Sequence, residues 1–278
     1  MKFAVTVVSP PGYIHAQAFS EVAETLHHGL QSLGHDSLLT TEGRLPGRQH
    51  IVLGPNLLPG FALPLAPDAI LYNLEQVQLG SPWFKPALLA LFRTYRMWDY
   101  SERNALALRT LGVNVAQVLP IGYVPQLTRI EAAPEQDIDV LFVGSMNPRR
   151  QLVVDQMGAL GLRVGAAFGV YGRDRDALIA RARLQLNIHH YEAKVLEMVR
   201  ISYLLANRCA VLSEHSSNRT EDAALAEGVA FADYAGLAQR ARELIDAPQE
   251  RERLRQRGFE IMQARPMADY LRVALAMA

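Results

Sequence analysis

The sequence has very little cysteine: Cys209 is the single one among 278 residues. One cysteine excludes an internal disulfide and a cysteine-cluster metal site, as is typical of a chain kept in a reducing compartment. A cytoplasmic location is therefore expected.

An excess of charge of either sign is also missing, because 28 basic residues balance 28 acidic ones. Such a chain has no basic surface typical of binding to nucleic acid or an anionic membrane, so neither is an expected partner. No stretch reaches the roughly 18 uninterrupted apolar residues of a transmembrane helix. The short run from Phe3 to Val8 meets Pro10-Pro11-Gly12 and predicts a buried strand, not a signal peptide.

Half of the residues are apolar, and they form short runs that alternate with helical patterns. This alternation predicts two Rossmann-like, doubly wound α/β domains with parallel sheets, residues 1–124 and 125–278, divided where Pro120 to Pro125 breaks the pattern. In the second half, strands are expected at 140–143, 163–168, 184–189, 209–213 and 231–234, with a helix over 193–206.

Ligands of open parallel sheets bind beyond the carboxyl ends of the strands, where helix N-termini favour phosphate. Three polar loops follow predicted strands. Their candidate residues are Gly12, Tyr13 and His15 in the first loop, Gly144, Ser145, Arg149 and Arg150 in the second, and Asn187, His189, Tyr191, Glu192 and Lys194 in the third.

The second loop combines a glycine that admits close backbone approach with two arginines that can neutralise a diphosphate. The alternative is a helix that begins at Pro148 with two solvated arginines on its first turn. Basic side chains oppose the dipole at a helix N-terminus, and a bound anion would remove that penalty.

The third loop is the densest polar stretch of the chain and precedes an apolar helical pattern. Within that pattern Glu197 and Arg200 are three residues apart, which also suits a simple surface ion pair. A metal site is not expected, because His189 and His190 are neighbours that point to opposite faces of a strand and no third ligand has suitable spacing.

In the first half, His15 follows the glycine turn, and Asn73, Glu75 and Asp99 follow or end predicted strands. These residues are candidates for contacts with an acceptor. The alternative is that they cap helices and loops.

The second half resembles retaining GT-B glycosyltransferases of the glycogen-synthase or group 1 type over roughly residues 138–265. The likeness rests on Leu141-Phe142-Val143-Gly144-Ser145, Val170-Tyr171-Gly172, Leu186 to Glu192 and Val199 to Glu214, in this order. Sequence segments such as Leu71 to Gln76 and Trp98 to Ser101 are similar to those of an uncharacterised glycosyltransferase subgroup from polysaccharide gene clusters.

The resemblance implies that two domains face a cleft, with a reduced N-terminal acceptor domain. It implies that Glu192 faces the donor sugar and that Arg149, Arg150 or Lys194 stabilises the leaving diphosphate. A second family glutamate, which holds the ribose, falls on Arg200, or on Ser202 with an insertion, so Glu197 is the candidate to replace it.

The function expected from the sequence is metal-independent transfer of a sugar from a nucleotide diphosphate-sugar in glycan or polysaccharide biosynthesis. The nucleotide-sugar is the co-substrate, no other cofactor is expected, and the acceptor is a glycan, a lipid-linked molecule or a protein. The catalytic candidates are Glu192, His15 and Lys194. One alternative is a non-catalytic, degenerate GT-B protein that binds sugar nucleotides or carbohydrate. A second, a nucleotide-sugar epimerase, is disfavoured because no Gly-x-Gly-x-x-Gly follows the first strand.

Overall fold

A computed structural model describes residues 1–78 and 83–276 of the chain. Met277 and Ala278, the end of the second predicted domain, lie outside the described residues. The chain divides into two compact units: Met1–Val124 together with the chain from Arg265 onward, and Pro125–Ala264.

The first unit contains a parallel sheet with strand order β2-β1-β3-β4-β5-β6 among its described residues. Its central strands are buried on both faces, as expected for apolar runs under helices. The strands are β1 (Lys2–Val7), β2 (Asp36–Thr40), β3 (Gln49–Leu53), β4 (Ile70–Asn73), β5 (Arg96–Asp99) and β6 (Val115–Val118), and the helices are α1 (Ser20–Ser32), α2 (Pro86–Thr94) and α3 (Glu102–Thr110). Short 3-10 helices cover Ile14–Phe19, Pro55–Gly60 and Pro125–Leu127, the last at the start of the second unit.

The second unit contains a parallel sheet with strand order β11-β10-β9-β7-β8. Its apolar core lies between this sheet and the helices, with Phe142, Leu186 and Leu212 among the buried side chains. The elements are β7 (Ile138–Val143), α4 (Pro148–Ala159), β8 (Val164–Ala167), α5 (Gly172–Arg181), β9 (Ala182–Asn187), α6 (Met198–Ala206), β10 (Val211–Glu214), α7 (Arg219–Ala223), β11 (Ala230–Ala232), α8 (Leu237–Asp246) and α9 (Pro248–Gln263).

The last helix, α10 (Met267–Ala276), packs on α1 of the first unit. Gly29 of α1 permits this approach, because a Cβ atom there would lie 2.8 Å from side-chain atoms of both Met267 and Leu271. The structure therefore differs from the sequence-based boundary, which assigned residues 265–278 to the second domain. The apolar face of α10 has its partner in α1, which is far away in the sequence.

The helix expected over 193–206 begins five residues later, at Met198. The segment before it is a turn, in which Lys194 adopts a left-handed φ of 45° and Ser217 Oγ donates to the carbonyl of Ala193 at 2.8 Å. Strand β9 also ends at Asn187 and not at His189. Glu197 is consequently the N-cap residue of α6, so its predicted place on a helix face was wrong.

In the described part of the chain, no helix has the length and apolar character needed to cross a membrane.

Candidate functional site

Three adjacent strands of the second unit, β7, β9 and β10, end at the same edge of the sheet. Gly144 follows β7, the segment from Ile188 to Glu197 follows β9, and Glu214 is the last residue of β10. The second and third predicted loops therefore meet at this edge.

Arg150 is 3% exposed, so its interpretation as a solvated side chain of a helix start is wrong. Asn147 caps α4 by accepting from the Arg150 amide at 2.9 Å, which fixes the first turn. The guanidinium donates from Nε to the carbonyl of Ile188 at 3.0 Å and from Nη1 to that of Ser145 at 2.8 Å. Burial, with the nearby charge of Arg200, lowers the pKa of Arg150 to about 10, which leaves it cationic at neutral pH.

Arg200 brings a second guanidinium to the same place. Its Nη1 donates to Oδ1 of Asn187 at 2.7 Å, and its Nη2 lies 3.1 Å from where a Cβ on Gly144 would be. Arg150 Nη1 lies 3.7 Å from the same point. Burial lowers the pKa of Arg200, and Glu197 opposes that shift. Two positively charged side chains thus approach the end of β7, where a side chain larger than that of glycine would crowd them.

Glu197 is bound from two sides. Nδ1 of His189 lies 2.9 Å from its Oε2, and Asn187 Nδ2 donates to that oxygen at 2.9 Å. Burial by itself would raise the pKa of Glu197, but His189, Arg200 and Asn187 lower it to about 2. The carboxylate therefore stays ionised and holds the loop after β9 against α6. His189 Nε2 is buried without a hydrogen-bond partner among the described residues.

Two further cationic side chains contact the carboxylate of Glu214. Arg149 Nη2 donates to its Oε1, and Lys194 Nζ lies 2.9 Å from that same oxygen. Burial would raise the pKa of Glu214, but these hydrogen bonds lower it. The Arg149 guanidinium also lies 4.0 Å from the ring centroid of Tyr234, whose hydroxyl donates to the Arg149 carbonyl at 2.8 Å. Sequence reasoning missed Glu214 as a site residue, although its position at a strand end was a usable signal.

The remaining predicted donor residues are distributed unevenly. Ser145 contributes its carbonyl to Arg150, and Tyr191 is half-buried with its neighbour His190 in ring contact at 4.6 Å. Ser202 is buried within α6. Glu192 is exposed and, in the described residues, makes none of the contacts of this cluster.

We call the set of Arg149, Arg150, Lys194, Arg200, Glu197 and Glu214 the basic cluster. Within the described residues it contains four cations against two carboxylates. The two Asp-x-Asp sequences of the chain lie elsewhere, and they contact arginines: Asp137 contacts Arg181, Asp139 contacts Arg163, and Asp176 contacts Arg175.

The first unit has a cluster of its own at the carboxyl ends of β1, β4 and β5. Gly12 has a φ of 75° in the turn after β1, and the rings of Tyr13 and His15 lie 5.3 Å apart at 74°. Asn73 Nδ2 donates to Oδ2 of Asp99 at 2.6 Å. Burial, and next the charge of Glu75, raises the pKa of Tyr13.

Sequence comparison gives two relatives of this chain, and structure comparison gives solved structures of similar fold. No protein-family model matches the chain. An uncharacterised protein of Acanthamoeba polyphaga mimivirus is 31% identical over 158 residues, which is 54% of this chain and 49% of that protein. A second uncharacterised protein of the same virus is 32% identical over 124 residues, 44% of this chain and 12% of the relative. The chain thus spans about half the length of the first relative and much less of the second.

Solved glycosyltransferase structures match nearly the whole chain. HepE of Anabaena, solved in complex with UDP and glucose, has a TM-score of 0.61 at 13% identity, with 100% of both chains covered. WaaG, a glycosyltransferase of lipopolysaccharide biosynthesis, has 0.61 at 12%, covering 100% of this chain and 99% of the other. AviGT4, of avilamycin A biosynthesis, has 0.58 at 15%, covering 100% and 96%. The expected fold class is confirmed: two α/β domains with parallel sheets, matching GT-B proteins.

Proposed function

We propose that the basic cluster binds the diphosphate of a nucleotide-sugar and that the protein transfers the sugar to an acceptor in glycan biosynthesis. The observation that carries this proposal is the pair of guanidiniums beside Gly144, from the buried Arg150 and the half-buried Arg200. Two cations placed together in a poorly solvated site repel each other, and a bound anion removes that penalty. The two charges left over in the cluster match those of a diphosphate.

The cluster also suits the chemistry of the transfer. As the bond between the sugar and the diphosphate breaks, negative charge develops on the leaving oxygen, and fixed donors stabilise it without reorganisation. Arg150 and Arg200 are held by Ile188 and Asn187, so their donors are oriented in advance. Because the cluster supplies four cations, the charge of the leaving group needs no metal ion. The nucleotide-sugar is the co-substrate, and no other cofactor is required.

The likeness of HepE, WaaG and AviGT4 supports the same reading at the level of fold. Retention of anomeric configuration, which the sequence resemblance implies, is part of the proposal. So is the assignment of the polysaccharide-cluster subgroup, with the acceptor taken by the first unit.

A thermal-stability panel of UDP-, GDP-, dTDP- and CMP-sugars tests the proposal. A ligand at about 100 times its dissociation constant stabilises by roughly 2.7 kcal/mol, so one nucleotide family should raise the Tm. Arg149→Ala should abolish the shift, whereas Arg242→Ala, which removes an exposed helix-surface ion pair with Asp246, should not. Stabilisation that persists in EDTA supports metal independence. No shift with any nucleotide would refute the proposal.

A second candidate, a non-catalytic protein that binds sugar nucleotides, is favoured by one observation. Glu192 is exposed, and both carboxylates of the basic cluster are committed to neighbouring side chains. Bound donor that is neither hydrolysed nor transferred over hours would identify this alternative.

A further inference from the structure

Glu75 is a half-buried carboxylic acid of the first unit. It lies two residues beyond the end of β4, at the edge of the sheet where the turn containing Tyr13 also lies. Within residues 1–78 and 83–276, no hydrogen bond or ion pair reaches this carboxyl. Burial raises the pKa of Glu75 to about 7.

The backbone of Glu75 is, in contrast, fixed by three hydrogen bonds. Its amide donates to Oδ1 of Asn73 at 3.3 Å, and its carbonyl accepts from Asn73 Nδ2 at 2.9 Å and Asn104 Nδ2 at 3.0 Å. Asn104 also accepts from the Val77 amide at 2.9 Å. The segment that carries Glu75 is therefore rigidly placed.

Asp99 extends this hydrogen-bond network. It accepts from Asn73 Nδ2 at 2.6 Å and from the Ser101 amide at 2.9 Å. Asn73, Asp99 and Asn104 are completely buried. Burying three polar side chains is unfavourable unless each is hydrogen-bonded, and here their bonds serve to position one short segment. Asn73 and Asp99 are consequently positioning residues, and Glu75 is the group that they present.

We propose that the carboxylate of Glu75, with Tyr13 beside it, binds hydroxyl groups of an uncharged carbohydrate acceptor. This inference rests on the proposed function and names the acceptor class for the first unit. A carboxylate without a partner accepts hydrogen bonds from hydroxyls, and an aromatic ring provides an apolar surface for a sugar. Tyr13 is the titratable group whose pKa the Glu75 charge raises, and the imidazole of His15 lies 5.3 Å from the Tyr13 ring.

The same geometry disfavours an anionic acceptor. A phosphate or carboxylate next to the bound hydroxyl would meet a negative charge in a poorly solvated place, where like charges repel most strongly. The acceptor hydroxyl is therefore expected on a sugar without a phosphate on the same ring.

The test uses the full chain and saturation-transfer NMR with methyl glycosides of glucose, galactose and mannose, with glucose 6-phosphate as the anionic comparison. At least one neutral glycoside should bind, and Glu75→Gln should weaken it at least about tenfold. Glu42→Gln, which changes an exposed carboxylate, is the matched control. Because the ionised fraction of a group with a pKa of about 7 rises from roughly 0.1 to 0.9 between pH 6 and 8, the wild-type Kd should fall several-fold, and the Glu75→Gln Kd should stay constant.

The inference is overturned if no neutral glycoside binds or if Glu75→Gln binds them as wild type does. It is also overturned if the Kd of Glu75→Gln depends on pH as the wild-type Kd does. Equal binding of glucose 6-phosphate at Glu75 would also contradict it. Nucleotide binding by the basic cluster is measured separately on the same variant and should remain within twofold of wild type. A failure of the acceptor assignment is thus distinguishable from a failure of the proposed function.

Discussion

His189 and Glu197 are in polar contact, 2.9 Å between Nδ1 and Oε2, and the imidazole is fully buried. The pair joins the segment after β9 to the N-cap residue of α6 across a turn that contains no regular structure. It therefore sets the position of Asn187 and Arg200, which contact the same carboxylate or its partner. Glu197, which the sequence resemblance made a candidate to hold the ribose, is thus bound by His189 and Asn187 within the basic cluster.

Replacing this carboxylate should destabilise the protein in a pH-dependent way. The pKa of Glu197 is lowered to about 2 from its ordinary 4.5, so its contribution is complete above pH 4.5 and is lost as the pH falls toward 2. We expect Glu197→Gln to lower the free energy of unfolding by about 3 kcal/mol at pH 7. Urea unfolding should show a smaller difference at pH 3. The exposed Glu192→Gln is the control, and a Glu197→Gln effect equal at both pH values would contradict the assignment.

A methyl group on Gly144 should displace the arginines. The added Cβ would lie 3.1 Å from Arg200 Nη2 and 3.2 Å from Phe142 Cζ, closer than ordinary contacts. Gly144→Ala is expected to weaken nucleotide diphosphate binding about tenfold by calorimetry. Gly158→Ala is the matched control, since its Cβ meets no atom within 4 Å and it lies in α4, where alanine should add roughly 0.5–1 kcal/mol of stability. Unchanged affinity in Gly144→Ala would place the diphosphate elsewhere.

Lys194 offers a way to separate charge from backbone strain. Its φ of 45° is a conformation that glycine adopts readily and that other residues adopt at a free-energy penalty. Lys194→Ala and Lys194→Gly both remove the ammonium beside Glu214, so both should weaken nucleotide binding by the same factor. Thermal unfolding should show Lys194→Gly to be the more stable variant by about 1 kcal/mol. Equal stability would argue against strain, and wild-type affinity in both variants would argue against a role for the charge.

Ionisation of the Glu75 carboxyl should reduce stability as the pH rises from about 4.5 to 7. Its pKa rises from 4.5 to about 7 on folding, so the folded protein binds the proton more tightly than the unfolded chain, and stability falls as the pH rises between these values. Glu75→Gln removes this loss. Relative to wild type, its free energy of unfolding should be unchanged near pH 4 and up to about 3 kcal/mol higher at pH 8. A variant that is less stable than wild type at pH 8 would show that the carboxylate has a partner.

The alternation of apolar runs and helical patterns predicts most of the strands and helices, because strands buried on both faces leave a strong signal. Pro148 predicts the start of α4 for a local reason, because proline suits the first position of a helix. The late start of α6 has no such signal. It depends on Ser217, more than 20 residues away, which holds the turn at Ala193 and Lys194.

The site likewise has residues with a local sequence signal and contacts that depend on distant parts of the chain. Arg149, Arg150 and Lys194 stand out in the sequence because charged residues follow strands. The burial of Arg150 and the contact of Arg149 and Lys194 with Glu214 depend on strand order, which places β9 between β7 and β10. The packing of α10 on α1 is likewise a long-range contact that no local pattern contains.

The most direct test of the central claim is calorimetric comparison of UDP, GDP and dTDP with their nucleosides. Because the basic cluster recognises the diphosphate, one nucleoside diphosphate should bind at least about 100-fold more tightly than its nucleoside, and Arg149→Ala should remove most of that difference. If no diphosphate binds, or if the nucleoside binds equally well, the basic cluster is not a diphosphate site and the proposed transfer is wrong.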